Sequence, residues 1–204
     1  MKNIYVVTHT ESIHHVEEKV GGWFDTGLTD TGRAQAQLVA EQLMDLLGSQ
    51  TPIILSSDLL RARETASIVA AQFKCSLNLT SDLREIGCGI AEGKPQSWLD
   101  ARFTPAPDDN RLDHRIIDQA ETKREFSERI FRVVDKIVSS NQPNHIVVTH
   151  GYAMTFVVAC WIRMPLEAAG YVNFKSNSGG ITHLQEDDFL RNRAVRFLNR
   201  TSHL

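Results

Sequence analysis

The chain has 204 residues, 42% of them hydrophobic and 23% charged, with a formal net charge of −3. That length suffices for one domain with a full core, and the mild negative charge excludes a protein that holds nucleic acid by bulk electrostatics. No stretch approaches the roughly 18 consecutive apolar residues of a membrane span, and Cys75, Cys88 and Cys160 lie far apart without metal or redox spacing.

Met1 is followed almost at once by an apolar run, which leaves no room for a secretory leader, so a reducing cytoplasm is the expected compartment. Asn3 to Val7 is short and largely β-branched, the pattern of a strand buried on both faces. A polar loop with Gly21, Gly22 and Gly27 follows. Thr29 then suits the N-cap of a helix whose positions Ala36, Ala40, Leu43 and Leu47 keep one face up to a stop at Gly48. Pro52 to Ser56 predicts the next strand, and from Asp58 the residues Leu59, Ala62, Ala66, Val69 and Phe73 again share a helical face. Cys75 to Leu79 predicts a further strand.

Residues 89–122 are the least regular part, broken by Pro95, Pro105, Pro107 and the turn Asp108-Asp109-Asn110. They are expected to cover a pocket rather than to extend the sheet. Phe126, Ile130, Val133 and Ile137 mark a helix leading into a strand at His145 to Thr149. Two late strands are expected near Gly180 to Leu184 and Ala194 to Leu198. Strands alternating with helices predict one α/β domain over residues 1–204, a three-layer α/β/α sandwich around a mostly parallel sheet.

Four side chains with chemistry follow these strands. His9 in IYVVTHTES and His150 in HIVVTHGYA each come directly after β-branched residues, Arg61 follows the strand at Pro52, and Glu85 follows the strand at Cys75. Open α/β sheets bind ligands outside the carboxyl ends of their strands, so these ends imply one shared pocket. An imidazole nucleophile splits one phosphoryl displacement into two. A carboxylic acid protonates the leaving alkoxide, and an Arg fork with a second imidazole offsets charge on the equatorial oxygens in place of a metal. Glu92 lies in the same region as Glu85 and competes for the acid role. Trp23 and Phe24 are read as packing the loop, and Arg33 and Arg63 as exposed helix residues. His9, His14 and His15 fit zinc poorly without a carboxylate-rich or cysteine set nearby, so neither metal nor cofactor is expected.

The segments VVTHTES, GGWFDTGLTDTGRAQA, SSDLLRARETA, LREIGCGIAEG, VVTHG, NSGGITHL and FLNRTSHL cover nearly the whole chain. In order and spacing they resemble the histidine phosphatase superfamily, which includes cofactor-dependent phosphoglycerate mutases and broad phosphomonoesterases. The resemblance implies a phosphoglycerate mutase-like fold, His9 as the residue phosphorylated, Arg61 and His150 as holders of the phosphoryl oxygens, and Glu85 as proton donor. It also implies a substrate-binding set of Thr8, Thr10, His15, Gly22 and Gly151.

One departure stands out. The family's first motif is Arg-His-Gly, whereas this chain has Thr8-His9-Thr10. Loss of one clamp arginine carries an expected cost of about 1.5–3 kcal/mol, or roughly ten- to a hundredfold in rate. His15 is the first candidate to replace the lost positive charge, then His14 and Lys19, and a replacing histidine has to be protonated while His9 stays neutral. The leading expectation is a metal-independent phosphatase acting on a small phosphomonoester, with no nucleic-acid or membrane partner and a homodimer left open. A mutase is disfavoured by the short chain, and a catalytically weakened phosphate-binding protein is the alternative that Thr8 leaves.

Overall fold

The computed structural model describes residues 1–204. Its strands are β1 (Lys2–Thr8), β2 (Ile53–Ser57), β3 (Leu77–Thr80), β4 (Asn144–Thr149), β5 (Ile181–Glu186) and β6 (Arg193–Arg200). The helices are α1 (Ile13–Val16), α2 (Asp30–Leu47), α3 (Leu60–Phe73), α4 (Gln96–Asp100), α5 (Lys123–Ser139), α6 (Gly151–Trp161) and α7 (Leu166–Ala169). One six-stranded sheet has the order β3-β2-β4-β1-β5-β6. Its first four strands are mutually parallel, and β5 and β6 join antiparallel.

Side chains on a strand alternate between faces, and here both faces are covered. Tyr5, Val7, Ile146 and Val148 pack with Val39 and Leu43 of α2 and with Ala66 and Val69 of α3. Ile4, Val6 and Val147 pack on the other side with Phe126 and Ile130 of α5 and with Phe156 and Trp161 of α6. This two-sided burial explains why β1 and β4 read as continuous apolar runs and gives the three layers expected from the sequence. The side chain of Thr29 accepts from the Gly32 amide as the N-cap of α2, and Gly48 ends that helix at φ 59°. No helix is long and apolar enough to cross a membrane.

The main departure from the sequence expectation follows β3. A short 3₁₀ turn, Ser81–Leu83, capped by the Thr80 side chain, separates that strand from Glu85. Glu85 is therefore not at a strand end. The Thr149 hydroxyl donates to the Leu83 carbonyl at 2.7 Å, which draws this turn across the end of β4. Residues 89–122 add no strand to the sheet. They contribute Ala91 and Leu99 to a small cluster with Val20, so they pack against the loop that follows α1.

Two outcomes follow from this packing. Gly32, in the first turn of α2, lies so near residue 11 that an added Cβ would stand 1.9 Å from the Glu11 carbonyl oxygen. Gly32→Ala is expected to lower stability by about 1–3 kcal/mol, seen as a lower urea midpoint at unchanged slope; an unmoved midpoint would contradict that close contact. His145 on β4 and His183 on β5 are buried, and burial lowers each from 6.5 to about 4. The unfolded chain then takes up protons that the folded one does not. Stability should be full above about pH 6.5 and fall as pH drops toward about 4. A thermal midpoint that stays flat across that window would count against this burial.

Candidate active site

β1 and β4 lie side by side with Thr8 opposite Thr149. The ladder continues one residue further, as the His9 amide donates to the Thr149 carbonyl at 2.8 Å. His9 and His150 therefore stand at neighbouring strand ends, with ring centroids 5.1 Å apart. His9 is buried, and its Nδ1 lies 2.8 Å from the Thr10 carbonyl oxygen. A carbonyl only accepts, so Nδ1 carries the proton and Nε2 keeps its lone pair. Burial, reinforced by Arg61 and His15, holds the His9 pKa well below the usual histidine value. The result is a neutral imidazole suited to nucleophilic attack. His150 Nε2 lies 2.9 Å from the Ser57 hydroxyl at the end of β2, and its Nδ1 has no partner within the chain. Burial, then Arg61, depress its pKa as well.

Arg61 is buried in the first turn of α3. One terminal nitrogen donates to the Gly22 carbonyl at 2.7 Å and the other to the Phe24 carbonyl at 2.8 Å, while Nε has no protein partner. Gly22 holds φ +52°, and a Cβ there would approach the Cys88 amide nitrogen to 2.9 Å, so the turn requires glycine. Its contribution is thus a carbonyl that orients Arg61. The Glu85 carboxylate accepts from the Ile86 amide at 2.9 Å and from the Tyr152 amide, in the first turn of α6, at 3.0 Å. Burial raises its pKa above the usual carboxyl value despite these amides and the neighbouring Arg61. Glu92 has different work: one oxygen accepts from the Trp23 and Cys88 amides, each at 3.0 Å, and fastens two loops together.

The structure weighs against the expected replacement cation. His14 is buried with Nδ1 beside the Ser12 and Thr26 hydroxyls at 2.9 and 3.2 Å, and burial lowers its pKa to about 3. His15 stacks on His9 with centroids 5.2 Å apart and rings 18° from parallel, but burial and Arg61 lower its pKa too. Lys19 pairs with Glu17 at 2.7 Å. None of the three brings an unpaired positive charge to His9. Thr10 is a second correction: it is fully buried, and its hydroxyl donates to the Gly32 carbonyl at 2.7 Å instead of facing a substrate. That bond fastens the end of β1 to α2.

A cavity of 80 Å³ lies beside His9, bounded by Thr8, His15, Gly151 and the turn Ser176–Ser178. A cleft of 460 Å³ lies beyond Trp23, whose indole N–H donates to the Glu85 carbonyl at 2.8 Å; Glu92, Arg115 and Gln119 line it. The larger cavity of 520 Å³, among Trp161, Arg163 and Glu186, is at the opposite end of the sheet, where Glu186 pairs with Lys2. No three His, Cys, Asp or Glu side chains converge as a metal-ligating set.

Two residues escaped the sequence reading. Arg129 and Glu121 form a nearly buried pair, with two guanidinium nitrogens each 2.7 Å from the carboxylate. Arg129 also donates to the carbonyls of Asp82, Arg84 and Glu85 at 3.0, 2.6 and 2.7 Å, and Glu121 accepts from the Gly87 amide at 3.0 Å. The pair thus fixes the backbone on either side of Glu85. A signal was present, because Arg129 falls on the same helical stripe as Phe126, Ile130 and Val133, where a charge needs a buried partner.

Comparisons with known proteins agree with this geometry. A curated protein named "Probable phosphoglycerate mutase GpmB", from Erwinia tasmaniensis, is 28% identical over 209 residues, spanning 100% of this chain and 95% of that protein. The two chains are thus close in length. A mycobacterial glucosyl-3-phosphoglycerate phosphatase structure superposes with TM-score 0.82 at 22% identity, covering 98% of this chain and 100% of that one. The alpha-ribazole phosphatase from Shigella flexneri gives TM-score 0.80 at 25% identity, covering 97% of this chain and 96% of that one. Sequence pattern, sheet order and a family match extending over residues 4–195 converge, and the chain belongs to the histidine phosphatase superfamily, branch 1.

Proposed function

We propose that this protein hydrolyses a small phosphomonoester without a metal, through a phosphohistidine on His9. The observation that carries the reading is the fixed tautomer of His9, whose Nδ1–H is held by the Thr10 carbonyl so that Nε2 is the attacking atom. Attack forms the Nε2–phosphorus bond and breaks the ester phosphorus–oxygen bond. Glu85, kept protonated by its raised pKa, gives its proton to the departing alkoxide. Its carboxylate then takes a proton from water, which attacks the phosphohistidine and releases inorganic phosphate with His9 restored.

Arg61 and His150 hold the phosphoryl oxygens in this scheme. Support comes from Arg61 Nε and His150 Nδ1, two buried polar atoms without a protein partner. Buried polar atoms are rarely left so, and a ligand oxygen would satisfy both. The cleft beside Trp23, whose indole donates to the Glu85 carbonyl, is the proposed place of the alcohol portion of the substrate. A mutase is the second reading, favoured by the name of the Erwinia relative. It shares the first half-reaction and differs only in passing the phosphoryl group to a hydroxyl instead of water, so inorganic phosphate release against transfer separates the two.

Rapid quench into alkaline detergent with EDTA present tests nucleophile and metal independence together. Wild type should carry an acid-labile, base-stable phosphoryl group that His9→Ala cannot form. An adduct persisting in His9→Ala would place the nucleophile elsewhere, and loss of wild-type labelling in EDTA would mean that a metal is required.

Glu85→Gln should slow hydrolysis of alkyl phosphates by about 10²–10⁴ and of aryl phosphates with good leaving groups far less. Equal losses on both would remove the acid role from Glu85. The pH profile follows from the two shifts. A depressed His9 pKa keeps the nucleophile neutral below 6.5, and a raised Glu85 pKa keeps the acid protonated above 4.5, its proton being lost as pH rises further. kcat/KM should therefore peak on the acidic side of neutrality and fall on the alkaline side. Glu85→Gln should abolish that alkaline fall, and its survival in the variant would assign it to another group.

A further inference from the structure

The missing clamp arginine leaves a question that no neighbouring cation answers, since His14, His15 and Lys19 bring no unpaired charge. What stands next to Thr8 is the 80 Å³ cavity beside His9, and no hydrophobic side chain lines it. Three of its lining residues, Ser176, Asn177 and Ser178, form one turn between α7 and β5.

This turn is fastened from behind. The Thr8 hydroxyl donates to the Asn177 carbonyl, and the Gly180 amide donates to the same oxygen at 3.0 Å. The Asn177 amide donates to the Asn199 side chain at 2.9 Å. The Gly179 amide is shared between the Thr8 and His9 carbonyls, at 3.1 and 3.2 Å. These bonds engage Asn177, Gly179 and Gly180, whereas Ser176 and Ser178 line the cavity on either side of Asn177. Ser176 Oγ would stand 3.0 Å from a Cβ added at Gly151, the first residue of the 11-residue α6, which also lines the cavity. The positive end of that helix therefore reinforces the site for an anion.

We propose that Ser176 and Ser178 are phosphoryl-binding residues, whose hydroxyls donate to the oxygen that a second clamp arginine would hold, with Thr8 tethering their turn beside His9. The ligand class is a tetrahedral phosphoryl oxyanion. The proposal rests on phosphoryl chemistry at His9 and adds binding residues to that site. Thr8 in this scheme is a positioning residue, because its hydroxyl proton goes to Asn177 and not to the ligand.

The test is titration of the full-length protein with inorganic phosphate, read by calorimetry and by the His9 Cε1–H resonance. Phosphate should move that resonance in wild type, which locates the ligand. Ser176→Ala and Ser178→Ala should each weaken phosphate about tenfold and the double variant more, while Ser178→Thr, which keeps the hydroxyl, should bind within about threefold of wild type. Thermal midpoints of all variants should match wild type, which separates lost binding from lost folding. If phosphate moves the His9 resonance and the double variant binds it as tightly as wild type, the serine assignment is overturned and the reading of His9 stands. If phosphate leaves the His9 resonance unmoved, both fail together.

Discussion

Parallel pairing of β1 with β4 is the constraint on which the site depends. Thr8 opposite Thr149 brings His9 and His150 to adjacent strand ends, and the bond from the His9 amide to the Thr149 carbonyl carries the ladder past the last strand residue. A slip of one residue would exchange the two faces of the strand. It would exchange Tyr5 and Val7, which meet α2 and α3, with Ile4 and Val6, which meet α5 and α6. The cores on both faces therefore enforce the register that places two imidazoles 5.1 Å apart. Hydrophobic packing on both faces thus sets the distance between the two imidazoles.

Two buried arginines then organise the loops that the sheet does not hold. Arg61 draws the Gly22 and Phe24 carbonyls toward the strand ends, and Arg129 with Glu121 fixes the backbone from Asp82 to Gly87. A buried ion pair is weak evidence for net stability, because desolvation offsets much of its attraction. Its value here is geometric. Arg129 engages three carbonyls and a carboxylate at once, so the peptide carrying Glu85 has few alternative positions. Glu85 is then held against the first turn of α6 by its own carboxylate.

The strands and the long helices were legible because burial imposes a period, and the places of His9 and His150 were legible because they directly follow such runs. The setting of Glu85 was misread: the turn Ser81–Leu83 carries no hydrophobic period, and its position depends on a hydroxyl from β4. Thr10 was placed on the substrate side by the resemblance, yet its bond to Gly32 depends on how α2 crosses β1. His14 and His15 looked like charge replacements on sequence position alone. Their neutrality follows from burial and from Arg61, which no local pattern reveals. The turn at Ser176–Ser178 was equally hidden, since its orientation comes from Thr8 and Asn199, both distant in the chain.

Magnitudes decide what replacing an arginine with a threonine does to such a site. A charge-assisted hydrogen bond contributes about 1.5–3 kcal/mol and a neutral one about 0.5–1.5 kcal/mol. On the proposed assignment, two serine hydroxyls would therefore offset most of what one guanidinium supplies, but through short donors with no net charge. Hydroxyl donors respond to the positions of the phosphoryl oxygens more than to total ligand charge, whereas a guanidinium attracts any anion that reaches it. In that scheme the buried Arg61 would supply the long-range attraction and the hydroxyls would act at contact. On that assignment the site trades general anion affinity for geometric selection of a tetrahedral group, while burial and the Arg61 charge hold the His9 imidazole below its usual pKa.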